Sequence, residues 1–460
     1  MSKSTQSSTR TPAPLNLLDP KCAGIDVGAN ELFVCIAKNP SEQEVRSFPT
    51  FTADLRQMIQ WLKNHGVKSV AMESTGVYWI VPFEMLEESG IEVVLVNAKF
   101  FKHAPGRKTD VQDCQWIQQL HSYGLLRGSF RPSPDIVELR SYVRQRSRLF
   151  ESAGTQVNLM HKALTQMNIQ LNQVISDITG ATGLNIIQAI IKGTRDPKVL
   201  ADLSVGECRK NIDYITKALE GNFRKEHVFA LEQAYEAYEF FHKQIRKCEE
   251  VIEAILSSMQ SSQDKTTKDS PKIDVNIRCT KKSKSNRSPY YFNAPAKIAQ
   301  VVKVDLTTIP GIEANTAMKI LSEIGTDMSR WPNVKAFVSW LGLCPSNKIS
   351  GGKILSSRTK PTDNRAAQAL RMAASSLYHS KTALGAFLRR MKSHLGAPKA
   401  ITAVAHKLAK ILYRMMITGE NYREAGENYY EQQHQKRVLA NLTKRAKEMG
   451  YTLIKEVSLV

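Results

Sequence analysis

The segment CAGIDVGANELFVCIAK, residues 22–38, decides the fold of the N-terminal part of this chain. It predicts an apolar strand, a turn at Gly28–Glu31 and a second strand at Leu32–Ala37, which together form a β-hairpin. Asp26 lies within the first strand. A carboxylate in an otherwise apolar strand costs free energy unless it has a partner. The hairpin therefore supplies the start of a sheet and a first candidate for catalysis.

Strand and helix signals alternate in the region after the hairpin. Two short apolar runs predict strands, Lys68–Glu73 and Ile91–Asn97, and Glu44–Thr50 is a further candidate strand. Three segments have helical patterns: Ala53–Asn64, Tyr78–Ser89 and Asp110–Gly124. Antiparallel strands followed by strand–helix alternation are typical of an α/β sheet of the ribonuclease H type. We expect such a domain over residues 21–130, after a disordered Ser/Thr/Pro-rich N-terminus at 1–20.

The middle of the chain predicts long helices. Two charged segments poor in Gly and Pro, one opening at Ile136 and one over about Cys208–Met259, predict a helical hairpin or coiled-coil arm over residues 135–260. Residues 261–300 are rich in Ser, Lys and Asn and lack periodicity, which predicts a mobile basic linker or insert.

The C-terminal part predicts a mostly helical domain over residues 301–425 and a helical tail over 426–460. Leu306–Ile312, LTTIPGI, leads into a helix at Ala314–Ile324, which is typical of a helix-hairpin-helix. The turn at Gly311 would expose backbone N–H groups that can hold a phosphate without reading bases. An ordinary helical turn explains the same pattern and stays open. Further segments predict helices: 334–341, 364–379, 383–394 and 398–416.

Composition points to a polyanionic partner. Lys and Arg number 64 against 43 Asp and Glu, a net charge of +21. Such an excess favours contact with nucleic-acid phosphates. The seven cysteines form no Cys-x-x-Cys pair, which argues against a structural zinc site and fits a reducing compartment such as the cytoplasm. No apolar run reaches the length of a membrane span, and the first residues do not form a signal peptide.

Four acids stand out in this basic chain: Asp26, Glu73, Asp110 and Asp113. Asp26 lies in a strand and Glu73 ends another, while Asp110 and Asp113 are three residues apart on one helix face. Any one of them could be a salt bridge or a helix-terminal acid. Together they would repel one another, and hard divalent cations relieve that repulsion. We therefore expect Mg²⁺, with two ions favoured and Mn²⁺ as an alternative.

Several basic residues are candidates for contact with nucleic acid. Arg107 and Lys108 directly precede Asp110 and could hold substrate phosphates. Arg140 and Arg144, with Arg148, repeat every four residues along one helix face. A solvated helix face explains that repeat equally well.

The segment Ser350-Gly351-Gly352-Lys353 lies in a predicted loop at Cys344–Lys353. Two glycines allow close backbone approach, although a plain turn is the commoner reason for such a pattern. Serine is a weak nucleophile until a base or a metal activates it, and no His or Asp is nearby in sequence. The neighbouring serines compete for the same role: Ser346, Ser356 and Ser357.

At these motifs the chain resembles the DEDD transposases of the insertion-sequence one-ten family. The matching stretches of the N-terminal part are GIDVG around Asp26, MESTGVY around Glu73 and GRKTD-x-x-D ending at Asp113. GLLRGSF at 124–130 resembles the eleven-eleven subgroup. In the C-terminal part, IPGI at 309–312 and the stretch from Trp340 to Gly352 resemble the family's second block. The arm and the insert at 261–300 carry no matching motif.

The resemblance implies a fold, a mechanism and partners. It implies a RuvC-like N-terminal domain, with the four acids as metal ligands, and a cytoplasmic, nucleoid-associated prokaryotic protein. Ser350 would be the nucleophile, forming a covalent phosphoserine link with a DNA strand. The partners would be donor and target DNA, a bridge non-coding RNA and other copies of the chain, as a tetramer. Lys353 and Gly311 would join the nucleic-acid contacts.

Three other functions stay open from the sequence. A RuvC-type junction resolvase or nuclease would use the same acids, with water as nucleophile. A sugar-kinase or actin-like ATPase also begins with a GIDVG-type strand and hairpin, but it has no place for the acids at 110 and 113. A non-catalytic nucleic-acid binder derived from a mobile element is the last alternative.

Overall fold

The computed structural model describes residues 17–39, 42–97, 109–266, 290–426 and 429–454. The chain divides into two compact units, Met1–Arg131 and Pro132–Val460. The first is a mixed sheet with helices and the second is mostly helical. Several predictions lie outside the described residues, including most of the N-terminus at 1–20, Arg107 and Lys108, and most of the insert at 261–300.

A five-stranded mixed sheet is the centre of the first unit, which confirms the predicted sheet of the ribonuclease H type. Its strands are β1 Cys22–Val27, β2 Glu31–Asn39, β3 Glu42–Pro49, β4 Ser69–Glu73 and β5 Glu92–Val96. Their order in the sheet is β3-β2-β1-β4-β5. β1 pairs antiparallel with β2, as the hairpin prediction requires, and parallel with β4.

Helices cover both faces of this sheet. Alternate residues of β1, such as Ile25, pack in one core with side chains of α1 (Thr52–Asn64) and α2 (Ile80–Glu88). The opposite face is covered by α3, Asp110–Ser122. Gly24 lets α3 lie directly on β1, because a Cβ at this position would be 2.2 Å from the backbone nitrogen of Gln118.

The second unit begins with a helical region built on two long helices. Its helices are α4 Pro134–Gln166, α5 Leu171–Val174, α6 Ala181–Ile191, α7 Pro197–Asp202, α8 Ile212–Ala218 and α9 Lys225–Thr266. The long helices α4 and α9 pack against each other, and the short helices close a shared apolar core at one end of the pair.

The predicted continuous helix at Cys208–Met259 is wrong. The structure has a 3-10 turn, then α8, and α9 begins only at Lys225. Between them the chain packs its backbone closely at Gly221, where a Cβ would lie 2.5 Å from the carbonyl oxygen of Met167. Phe223 follows with a φ of 43°, which no α-helix accepts. Helical spacing in the sequence continues across this break because α8 and α9 bury residues in the same core.

An ion pair joins the two long helices inside the protein. Arg146 of α4 and Glu249 of α9 are 2.6 Å apart, with 2% and 4% of their side chains exposed. The other oxygen of Glu249 accepts the backbone N–H of Tyr291 at 3.1 Å. The guanidinium of Arg146 also lies 3.8 Å from the ring centre of Tyr290. This pair therefore fastens the segment that leads into the C-terminal helices.

The C-terminal helices are α10 Ala294–Val302, α11 Ala314–Ile324, α12 Val334–Trp340, α13 Arg365–Ser376, α14 Ala383–Leu395, α15 Ala397–Thr418 and α16 Tyr429–Glu448. α15 buries one face against α12, α13 and α14 through residues such as Val404, Leu408 and Leu412. The predicted loop at Cys344–Lys353 is partly wrong, because β6 (Lys348–Ser350) and β7 (Lys353–Ser356) form a hairpin there. Among the described residues, no helix has the length and apolarity needed to cross a membrane.

Candidate active site

Asp26 and Glu73 lie at the ends of neighbouring parallel strands. The register of β1 and β4 pairs Ile25 with Met72, so the two acids are the next residues along. Neighbouring strands are about 4.8 Å apart. Since Ile25 and Met72 face the core with α1 and α2, alternation turns both acids toward the face that α3 covers. Register and strand alternation therefore place these two carboxylates on the same edge and face.

The first turn of α3 supplies the other two acids. Thr109 caps the helix, with its hydroxyl oxygen accepting the backbone N–H of Gln112 at 3.4 Å. Asp110 and Asp113 follow in the first turn, where the helix dipole favours negative charge. Asp110 is exposed and Asp113 is half-buried. Because α3 lies on β1 at Gly24, this turn lies on the same face of the sheet as Asp26.

Asp26 is affected by the charges of the three other acids. The pKa of Asp26 is raised from 3.8 to about 6, first by burial and then by the charges of Glu73, Asp110 and Asp113. Glu73 is held by a neighbour, since the hydroxyl of Thr75 donates to its Oε1 at 2.5 Å. The three other acids therefore lie close enough for their charges to act on the half-buried Asp26, and we call these four residues the acidic cluster.

The cluster fits a hard divalent cation by charge and by ligand type. All four side chains offer carboxylate oxygens, which Mg²⁺ prefers, and a cation would remove the repulsion felt by Asp26. Among the described residues, however, no three His, Cys, Asp or Glu side chains form a ready-made group that could hold a metal ion. Binding would therefore require the carboxylates to draw closer together.

Ser350 lies on a hairpin tip in the second unit. It is the last residue of β6 and pairs with Lys353 of β7. Gly351 and Gly352 form the two-residue turn with φ of 54° and 75°, values that favour glycine at both positions. Ser350 and Lys353 are exposed. The turn alone therefore explains the glycine pair, and the hydroxyl of Ser350 is open to a substrate.

The competing serines differ in exposure. Ser346 and Ser356 are half-buried, and the Oγ of Ser356 accepts the backbone N–H of Arg358 at 3.4 Å. Ser357 is exposed, like Ser350. Exposure alone therefore separates Ser350 from two of its three neighbours.

Arg140 and Arg144 have partners that the sequence did not predict. Arg144 holds both carboxylate oxygens of Glu323 at 2.9 Å each, and Arg140 donates to the backbone carbonyls of Ser322 and Glu323 at 3.0 and 2.9 Å. These bonds join α4 to the C-terminal end of α11. The four-residue repeat indicates a shared helix face, but it cannot indicate that Glu323, which is far away in the sequence, is the partner of these arginines. The nucleic-acid role of both arginines stays a prediction.

Gly311 has a packing reason for its identity. Its φ is 83°, and a Cβ would lie 2.6 Å from the carbonyl oxygen of Ala373 in α13. Between α10 and α11 the chain forms one 3-10 turn, Leu306–Thr308, and Gly311 follows it. Close packing and backbone conformation both require glycine here, and contact with a phosphate stays a prediction.

A Ser–His–Asp set that the sequence did not reveal lies in the first unit. The buried Ser69 donates to the carboxylate of Asp19, and its Oγ is 2.8 Å from Nε2 of His121. In a catalytic triad the carboxylate would hold the histidine instead. This set therefore fastens the segment before β1 to β4 and α3.

Comparison with known proteins gives matches at both ends of the chain. A family of DEDD transposases of the IS110 type, described as "Transposase", matches residues 23–169. The family "Transposase IS116/IS110/IS902" matches residues 305–389. The protein "Putative transposase y4pF/y4sB" of Sinorhizobium fredii (strain NBRC 101917 / NGR234) is 30% identical over 130 residues, which covers 26% of this chain and 32% of the relative. The chain thus spans about a third of that relative's length. The first match contains the four acids and the second contains Ser350.

Proposed function

Because the chain belongs to the IS110 family of transposases, we propose that it catalyses phosphoryl transfer on DNA during transposition of an insertion sequence. The observation that carries this proposal is the acidic cluster, in which burial and then the charges of three other carboxylates raise the pKa of Asp26 to about 6. Such a cluster is costly to fold, and an enzyme that handles phosphates has a use for it. The net charge of +21 supports a nucleic-acid substrate.

The four acids would hold divalent cations, with two Mg²⁺ ions favoured and Mn²⁺ as an alternative: Asp26, Glu73, Asp110 and Asp113. Bound ions would supply charge stabilisation for the attacking and leaving oxygens of an in-line displacement. The protein's own part is to hold Asp26 beside the other acids and to set the position of Glu73 through Thr75. Arg107 and Lys108, before α3, would neutralise substrate phosphates.

The finer proposal assigns the nucleophile to Ser350. Its Oγ attacks a DNA phosphorus atom, the Oγ–P bond forms, and the bond from phosphorus to the leaving deoxyribose oxygen breaks. The serine proton is lost and the leaving oxygen gains one. A hydroxyl of a second strand then attacks the phosphoserine, joins that strand and restores the serine. Exposure of Ser350 on a hairpin tip supports this role, and Lys353 beside it would contact the backbone.

Other parts of the proposal follow from the family resemblance. They are guidance by a bridge RNA, action as a tetramer, a coiled-coil arm formed by α4 and α9, and a helix-hairpin-helix around Gly311. The long packed pair α4 and α9 supports the arm, and the left-handed turn at Gly311 before α11 supports the hairpin.

A covalent adduct with DNA tests the serine mechanism. Wild-type protein is incubated with labelled DNA ends, Mg²⁺ and co-purified RNA, denatured, and examined for label that migrates with protein. We expect an adduct that Ser350→Ala abolishes and that Ser357→Ala, an equally exposed control, preserves. Adduct formation by Ser350→Ala at the wild-type level would contradict the assignment.

Hydrolysis by water, as in a RuvC-like Holliday-junction resolvase, is the second candidate. The observation that favours it is the hairpin turn, which explains Gly351 and Gly352 without any catalytic role. In that case Asp26→Asn abolishes cleavage of a four-way junction, whereas Ser350→Ala cleaves normally and no adduct is found with either protein.

A further inference from the structure

A cleft of about 710 Å³ lies between α4, α9 and the segment that leads into α10. Its volume is within the range of protein pockets that bind a small molecule or one group of a larger ligand. Five rings line this aromatic cleft: Phe150, Tyr238, His242, Tyr290 and Tyr291. Flat, polarisable walls of this kind favour a planar ligand that can stack on them.

Contacts with neighbours hold several of these rings in place. The ring centres of Tyr238 and His242 are 4.3 Å apart, and the ring of Phe150 meets that of His242 edge-on at 6.0 Å. The hydroxyl of Tyr291 donates to the carboxylate of Glu253 at 2.6 Å. Tyr291 is nevertheless 41% exposed, which leaves part of its ring open to a ligand.

Two guanidinium groups lie against the tyrosine rings of the cleft. That of Arg146, from the buried ion pair described above, is 3.8 Å from the ring centre of Tyr290. That of Arg246, which is exposed, is 4.3 Å from the ring centre of Tyr291 and has the acid Glu250 at 4.0 Å. Because cations already lie on these rings, a cationic ligand is disfavoured. A planar group attached to a phosphate suits the site better, since Arg246 can meet the phosphate.

Polar groups in the cleft can recognise the edge of a planar ligand. Tyr290 is only 8% exposed, and among the described residues its hydroxyl has no hydrogen-bond partner. Burial raises the pKa of Tyr290 to about 12, so the hydroxyl keeps its proton. Burial also lowers the pKa of His242, so its ring is neutral near pH 7 and has one donor and one acceptor nitrogen. A buried hydroxyl without a partner costs free energy, and a ligand with a polar edge would supply the partner.

We propose that the aromatic cleft binds one unpaired base of a single-stranded nucleic acid. The base would stack on the tyrosine rings, its polar edge would bond to the hydroxyl of Tyr290, and its phosphate would lie near Arg246. Unpaired bases bind proteins by such stacking, whereas a duplex keeps its bases inside the helix and presents phosphates. The choice of nucleic acid as the ligand rests on the proposed function.

The test separates the base from the phosphate backbone. The probes are a short single-stranded DNA, an RNA of the same length, an abasic DNA strand of the same length and a DNA duplex. Their binding is measured by fluorescence anisotropy in the Asp26→Asn background without Mg²⁺, so no chemistry is needed. The variants are Tyr291→Ala, which removes an exposed ring, and Tyr290→Phe, which removes only the hydroxyl. Phe240→Ala is the matched control, because Phe240 is an exposed aromatic residue of α9 that does not line the cleft.

We expect the parent protein to bind at least one of the two base-containing strands about tenfold more tightly than the abasic strand. Tyr291→Ala should lose most of this preference. Tyr290→Phe should weaken binding of the preferred strand by about two- to tenfold without lowering the melting temperature, because it removes a buried hydroxyl that has no partner. Phe240→Ala should bind like its parent. Preference for RNA over DNA would identify RNA as the source of the base, and equal preference would show that the base alone is recognised.

Other results would overturn the proposal. Equal affinity of the parent for the base-containing and abasic strands would do so while leaving the proposed function intact, because the protein would still bind nucleic acid. Equal weakening by Tyr291→Ala and Phe240→Ala would also overturn it, as would equal weakening of duplex and single-strand binding by Tyr291→Ala. Failure of the parent to bind any of the four probes would contradict the proposed function as well.

Discussion

Replacing Asp26 by Asn should stabilise the metal-free protein. Asn has nearly the same size and removes a charge that burial disfavours and that Glu73, Asp110 and Asp113 repel. With the pKa of Asp26 near 6 instead of 3.8, ionisation near neutral pH would cost up to about 3 kcal/mol of folding free energy. Asp26 is only half-buried, so solvent screening reduces the expected gain to about 1–2 kcal/mol.

The stability that Asp26→Asn gains over the wild-type protein depends on pH. Below the unfolded value of 3.8 the carboxyl is protonated in both states, and the variant gains nothing. As pH rises from about 3.8 to about 6, the unfolded state loses its proton first and the wild-type protein loses stability. The advantage of Asp26→Asn should therefore grow across this window and stay constant above it.

Urea unfolding in EDTA, followed by the fluorescence of the first unit's tryptophans, measures the effect. The transition of the first unit, Met1–Arg131, is the one to fit. Asp54→Asn is a matched control in the same unit, in the first turn of α1 on the other face of the sheet. It should lose up to about 0.5 kcal/mol, because it removes an acid that favours the helix dipole. Equal stability of Asp26→Asn and wild type at neutral pH would refute the raised pKa of Asp26 on which the candidate site rests.

Two further substitutions test how the fold supports the site. Gly24→Ala should displace α3 from β1, since its Cβ would lie 2.2 Å from the nitrogen of Gln118; we expect a loss of about 2–4 kcal/mol on unfolding and faster amide exchange in α3. Gly154→Ala, a helical glycine with open space around it, is the control and should be neutral or slightly stabilising. Glu249→Gln leaves the buried Arg146 without its counter-charge and should cost about 3–5 kcal/mol in chemical denaturation of the second unit. Glu253→Gln, which alters an exposed partner of the Tyr291 hydroxyl, should cost less than about 1 kcal/mol, and similar losses for both variants would contradict the importance of the ion pair.

Local sequence patterns were sufficient to predict the sheet and the acids. Alternation in β1 and β4, and helical spacing in α1, depend on neighbours a few residues apart, and these patterns appear in the structure where they were expected. Asp26 interrupts one apolar strand and Glu73 ends another, so both acids can be identified as candidates from the sequence alone. The parallel register that brings them side by side came only with the structure.

Long-range pairing explains what the sequence could not predict. Helical spacing places Arg140 and Arg144 on one helix face. It cannot predict their bonds to Glu323, which lies nearly two hundred residues later in the sequence. The sequence does not predict the break before α9, because the close approach at Gly221 depends on Met167, the residue directly after α4. The glycines after Ser350 predict a loop, but both have the positive φ of a hairpin turn. The two strands of this hairpin are too short to give a periodic pattern in the sequence.

Metal binding by the four acids is the most direct test of the central claim. Calorimetric titration of Mg²⁺ and Mn²⁺ into the EDTA-stripped protein should show binding to wild type, together with Mg²⁺-dependent DNA strand transfer. Asp26→Asn, Glu73→Gln and Asp113→Asn should each lose both, whereas Asp54→Asn should keep both. Unchanged metal binding in the three variants, or strand transfer at the wild-type rate in EDTA, would contradict the account.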